Sequence, residues 1–162
     1  MTFLPVLLAL DEDRVSLKVL ETQLSQRYAH DYRVECLEDP RIALERLTEL
    51  AHSGEDVALV LAGKSESVNA AGGFLEHVRE LHPHAKCALL VPTDVWAEKS
   101  SAKAIRALIA LGRVDYYAVR PAGPPDEVFY EAVSSFLLEW ATERRTVPHT
   151  IHVVGEDWSG RA

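Results

Sequence analysis

Long apolar runs, basic clusters and cysteine motifs are all missing from these 162 residues. No stretch approaches the roughly 18 to 20 apolar residues that span a bilayer. The opening from Met1 to Leu10 meets Asp11 with neither a basic n-region nor a cleavage site, so the reading is a soluble, cytoplasmic chain without membrane contact. Lys and Arg number 17 against 25 Asp and Glu, for a net charge of −8. That balance argues against sequence-independent nucleic-acid binding, which requires clustered cations to displace phosphate counterions. Arg144-Arg145 is the one adjacent basic pair and is too small a patch. The two cysteines, Cys36 and Cys87, are far apart and lie in apolar runs. They form neither a zinc site nor a redox CxxC, and read as plain buried thiols. A glycine-rich phosphate loop, a GxGxxG and an internal repeat are also absent.

What the chain does contain is alternation. Five short apolar runs begin near Val6, Tyr32, Val57, Cys87 and Tyr116, separated by longer segments whose apolar residues recur at three and four. Strand and helix in alternation specify a parallel sheet wrapped by helices. The run Leu4 to Leu10 is nearly continuous in Leu and Val, as a strand covered on both faces requires.

The first helix is expected to turn Leu17, Leu20 and Leu24 inward. Asp39-Pro40 supplies a cap and a first-turn proline for the second, with Ile42, Leu47 and Leu50 toward the core and Gly54 helping to end it. The third presents Phe74, Val78 and Leu81. The fourth presents Ile105, Leu108 and Ile109 and stops at Gly112. The fifth runs from about Asp126 to Arg144, with Phe129, Val133, Phe136, Leu137 and Trp140 on one stripe. Residues 1–145 therefore make one domain and 146–162 a tail or linker, in which Thr150 to Val154 reads as a sixth short strand.

Doubly wound sheets bind ligands at the carboxyl ends of their strands. The first strand delivers Asp11-Glu12-Asp13 there, the third Gly63, the fourth Val91 and the fifth Arg120-Pro121. With Leu8-Ala9-Leu10-Asp11-Glu12-Asp13, Leu59-Val60-Leu61-Ala62 and Phe74-Leu75-Glu76 in this order, Phe3 to Trp140 closely resembles the receiver domain of two-component response regulators.

The resemblance implies a flavodoxin-like, doubly wound sheet of five parallel strands in the order 2-1-3-4-5. It also implies an acidic pair at Asp11 and Glu12 for magnesium, a phosphate-accepting aspartate at position 63, a hydroxyl residue at 91, a Lys-Pro at 120–121 and a switch aromatic at Tyr117. The chain departs from that pattern at Gly63, Val91 and Arg120, and the Met-Pro that usually follows the acceptor is missing from Lys64-Ser65-Glu66-Ser67. An acyl phosphate needs a carboxylate nucleophile beside a divalent metal, and glycine supplies neither nucleophile nor ligand. The expectation is a receiver outside the phosphorelay, with no catalytic constellation and no cofactor beyond weak magnesium on Asp11 and Glu12.

Several residues keep two readings. Asp11, Glu12 and Asp13 either hold a weak cation or form an acidic turn favouring the first helix N-terminus. Arg120 either pairs with these acids or lies solvated, and a guanidinium does not replace an ammonium at a tight phosphate site. Tyr117 is either interface or packing. His77, His82 and His84 do not share one helical face and read as surface residues. The implied partners are a protein or a fused domain, with a homodimer through the fourth helix, fifth strand and fifth helix. Val153-Val154-Gly155-Glu156-Asp157-Trp158-Ser159 is similar to the segment joining a receiver to a flavin-dependent thioredoxin-disulfide reductase module. That similarity gives the alternative of a regulatory domain of an oxidoreductase whose chemistry lies elsewhere. A flavodoxin-like cofactor binder ranks behind both, for want of a phosphate loop.

Overall fold

The computed structural model describes residues 4–63, 68–91, 99–112, 114–119, 121 and 127–150. Strands β1 (Val6–Leu10), β2 (Arg33–Leu37), β3 (Val57–Ala62), β4 (Lys86–Val91) and β5 (Tyr116–Val119) alternate with helices α1 (Arg14–Tyr28), α2 (Pro40–His52), α3 (Val68–Leu81), α4 (Lys99–Ala110) and α5 (Glu127–Thr150). All four strand pairings are parallel and the sheet order is β2-β1-β3-β4-β5. This is the doubly wound order expected from the sequence, and it reverses between β1 and β3, leaving a crevice at their carboxyl ends.

Strands β1, β3 and β4 are buried almost throughout because both of their faces are covered, while the edge strands β2 and β5 are only partly buried. Val6, Leu8 and Leu10 of β1 enter a core with Leu47 and Leu50 of α2, Leu75 and Val78 of α3 and Ile105 of α4. Leu7 and Ala9 enter the opposite core with Leu20 and Leu24 of α1 and Phe129, Val133 and Leu137 of α5. Polar contacts fasten the layers. The Tyr28 hydroxyl donates to the Tyr130 carbonyl at 3.0 Å and lies 2.7 Å from Ser134 Oγ, tying α1 to α5. Arg46 of α2 grips Glu35 of β2 through two N–H donors at 2.7 and 2.9 Å, the planar fork that matches a carboxylate. Tyr116 of β5 stacks on Phe136 of α5 with ring centroids 4.2 Å apart.

Local stop and start signals act as their chemistry requires. Asp39 Oδ1 accepts from the Arg41 N–H at 2.9 Å to cap α2. Gly54 and Gly112, with φ of 71° and 72°, take the left-handed conformation after α2 and α4.

Four expectations are corrected. Ile42 is 49% exposed and Ala43 takes its inward place, because α2 flanks the outermost strand and is covered over a narrower arc. Ile109 is exposed at the end of α4, where the helix runs past the core. His82 is buried, its Nε2 lying 2.9 Å from the Leu47 carbonyl. The turn that closes α3, with the His82 N–H donating to Val78 O, folds it under α2. Finally, α5 continues to Thr150 on helix-forming residues such as Glu143, Arg144 and Arg145 and takes the first residue of the expected sixth strand. Residues 151–162 lie outside those described.

Phe129, 2% exposed in the first turn of α5, gives the sharpest packing test. Phe129→Ala is expected to cost about 3–5 kcal/mol, read as a lower urea midpoint at nearly unchanged slope.

Candidate functional site

The crevice is built from the ends of β1 and β3. β1 passes directly into Asp11, whose N–H donates to Leu37 O of β2 at 3.1 Å. Its side chain turns inward, fully buried, and Oδ1 accepts from the Asp13 N–H at 2.9 Å. Glu12 points to solvent. Asp13 caps α1, with Oδ1 accepting from Val15 N at 3.0 Å and Ser16 N at 3.5 Å. The three consecutive acids thus take three different tasks: a buried side chain, an exposed one and a helix cap.

On the other side of the crevice Gly63 follows β3 and is buried, its N–H donating to Leu10 O at 2.6 Å. A Cβ at this position would lie 2.7 Å from Asp11 Oδ2 and 2.9 Å from its Cγ. The structure therefore sets the Asp11 carboxylate in the space a side chain at position 63 would enter, which the chain positions alone do not reveal. Val91 is buried in the core beside β5, paired in register with Val119. Tyr117 is 40% exposed on β5. Arg120 and the segment 64–67 lie outside the described residues.

Receiver-type magnesium binding requires carboxylates converging on one ion. Here Glu12 faces solvent, Asp13 is engaged at the α1 cap, and the Asp11 carboxylate lies where a side chain at position 63 would begin. Among the described residues no three His, Cys, Asp or Glu side chains converge as a metal site. Asp11, Glu12 and Asp13 turn to three different places rather than toward one point.

Beside the crevice runs an open groove of about 910 Å³ between α1 and the β2–α2 edge, with Leu17, Cys36 and Ile42 on its apolar wall and Glu12 and Glu38 at its rim. Proline and a cap at the start of α2 marked this boundary in the sequence, but the exposure of Ile42 at an edge strand carried no signal. Burial, aided by Glu21 and Glu35, pushes the Cys36 thiol up to about 12, and burial does the same for Cys87. Among the described helices none is long and apolar enough to cross a membrane.

No family model matches the chain, and no curated protein matches it in sequence. Solved structures do match. The signal receiver domain of an HD domain-containing protein from Pseudomonas fluorescens Pf-5 superposes with a TM-score of 0.67 at 22% identity, covering 90% of this chain and 95% of that one. A CheY-like response regulator receiver domain protein from Methanospirillum hungatei JF-1 gives 0.61 at 19%, covering 87% and 99%. NtrX from Brucella abortus gives 0.70 at 13%, covering 95% of this chain and 32% of that one. The fold is that of a receiver domain.

The thiol shifts set an alkaline limit. Both cysteines are raised from 9.0 to about 12, so the folded chain holds two protons that the unfolded chain releases. Stability from this source is complete below pH 9 and is lost as pH rises from 9 toward 12. Urea midpoints are expected to fall between pH 8 and pH 10.5. Native thiols at pH 8 are expected to alkylate about a thousandfold more slowly than in urea.

Proposed function

We propose that the chain is a receiver-fold signalling domain that takes no phosphate at its third strand and acts through protein contacts. The observation that supports this most is the Asp11–Gly63 contact. At the point where a receiver needs a nucleophilic carboxylate, the backbone of Gly63 abuts a buried carboxylate, and no acyl phosphate forms on glycine. Val91 offers no hydroxyl to a phosphoryl oxygen, and its buried place beside Val119 makes it a packing residue.

With no phosphoryl group to switch it, the domain holds one conformation and presents one surface. The surface proposed is the α4–β5–α5 face; Ile109 near the end of α4, Leu111 in the turn after it and Tyr117 of β5 are exposed at 36%, 67% and 40%. Exposed apolar side chains on neighbouring elements suit a protein contact, and the occupant proposed is a second copy or a fused domain. A role beside an oxidoreductase module rests on the segment Val153 to Ser159 and would place the catalysis in that module. Finding an oxidoreductase module encoded downstream of residue 162 in the parent reading frame would favour it.

Amide NMR spectra before and after magnesium with beryllofluoride are expected to show no specific shifts at Gly63, Val91 or Tyr117. Saturable shifts there contradict the reading. Light scattering at high concentration is expected to give twice the chain mass, and a monomer removes the homodimer from the proposal.

A further inference from the structure

We infer that Asp11 and Gly63 are interlocked: the Asp11 carboxylate fills the space through which any side chain at position 63 would leave the backbone, so restoring aspartate there does not by itself restore a phosphate site. This interlock rests on the reading of a receiver fold without a phosphoryl switch and deepens it, by making the lost acceptor a requirement of where Asp11 sits.

Glycine at 63 is not needed for its backbone conformation. Its φ lies outside the left-handed region, unlike that of Gly54 and Gly112, so an L side chain meets no conformational obstacle there. The obstacle is steric. A Cβ would lie 2.7 Å from Asp11 Oδ2, 2.9 Å from Asp11 Cγ and 3.1 Å from Leu10 O, well inside the separations at which non-bonded atoms attract.

Both ways of relieving the contact disturb other bonds. Asp11 is fully buried, and a swing of its side chain gives up the bond from Asp13 N–H to Oδ1 at the turn that leads into α1. Its backbone is tied to β2 through Leu37 O. Retreat of Gly63 breaks its 2.6 Å bond to Leu10 O, directly after Ala62 pairs with Leu10 in the β1–β3 register. An aspartate at 63 adds a second difficulty, since its carboxylate starts from a Cβ already pressed on a buried carboxylate, and like charges at close range disfavour each other.

The test is a double-mutant cycle on the full chain, read as the thermal unfolding midpoint of wild type, Gly63→Ala, Asp11→Ala and the double variant. Gly63→Ala alone is expected to lower the midpoint by about 4–10 °C, as overpacking does in a domain of this size. In the Asp11→Ala background the same change is expected to move it by less than about 2 °C. Equal losses in both backgrounds overturn the interlock. If Gly63→Ala does not fold, the double variant decides: a folded double variant supports the interlock and an unfolded one overturns it. Gly63→Asp, titrated with magnesium and beryllofluoride, is expected to give no saturable amide shifts, and a saturable response also overturns it. Saturable shifts in the wild type would instead sink the reading of a silent receiver, a failure the stability cycle cannot produce.

Discussion

Strand β1 has no free side. It is bonded to β2 along one edge and β3 along the other, and its five residues feed alternately into the two cores. Moving it by one residue would exchange the occupants of both cores at once. The residue that follows is fixed with it, because Asp11 N–H is held by Leu37 O and Gly63 N–H by Leu10 O. The geometry at the carboxyl end of the sheet is therefore inherited from packing beneath it, and a buried carboxylate ends up against a bare backbone as a consequence.

Much of the fold was legible because fully buried parallel strands leave a simple record. The runs at Val6 and Val57 begin where the strands begin, and the caps at Asp39, Gly54 and Gly112 sit where helices change direction. Ile42, Ile109 and His82 were not legible, since helical spacing gives an arc of apolar residues but not how wide an arc the sheet covers. At the sheet margin the arc narrows and Ile42 is left out. For His82 a carbonyl on another helix supplies the partner, which no spacing within α3 reveals. The contact between Asp11 and Gly63 joins residues far apart in the chain, so the sequence shows a missing carboxylate without showing what stands in its place.

The site and the surface follow one logic. In a receiver fold the crevice between β1 and β3 is where a charged ligand enters and where a hydroxyl on β4 would report it. Here the crevice holds Asp11 against Gly63, and Val91 extends the core to the end of β4. On the proposed reading, packing takes the place of groups for binding. On the same reading, the apolar side chains exposed near the end of α4 and on β5 are the outward surface, and the domain is a scaffold more than a switch.

On the proposed reading, no phosphoryl group is carried at the end of β3. The most direct measurement is incubation of the full chain with magnesium and radiolabelled acetyl phosphate, followed by a count of protein-bound label before and after mild base. No base-labile label above that of the unfolded chain is expected. Stoichiometric, base-labile incorporation into the folded protein would show an acyl phosphate and contradict it.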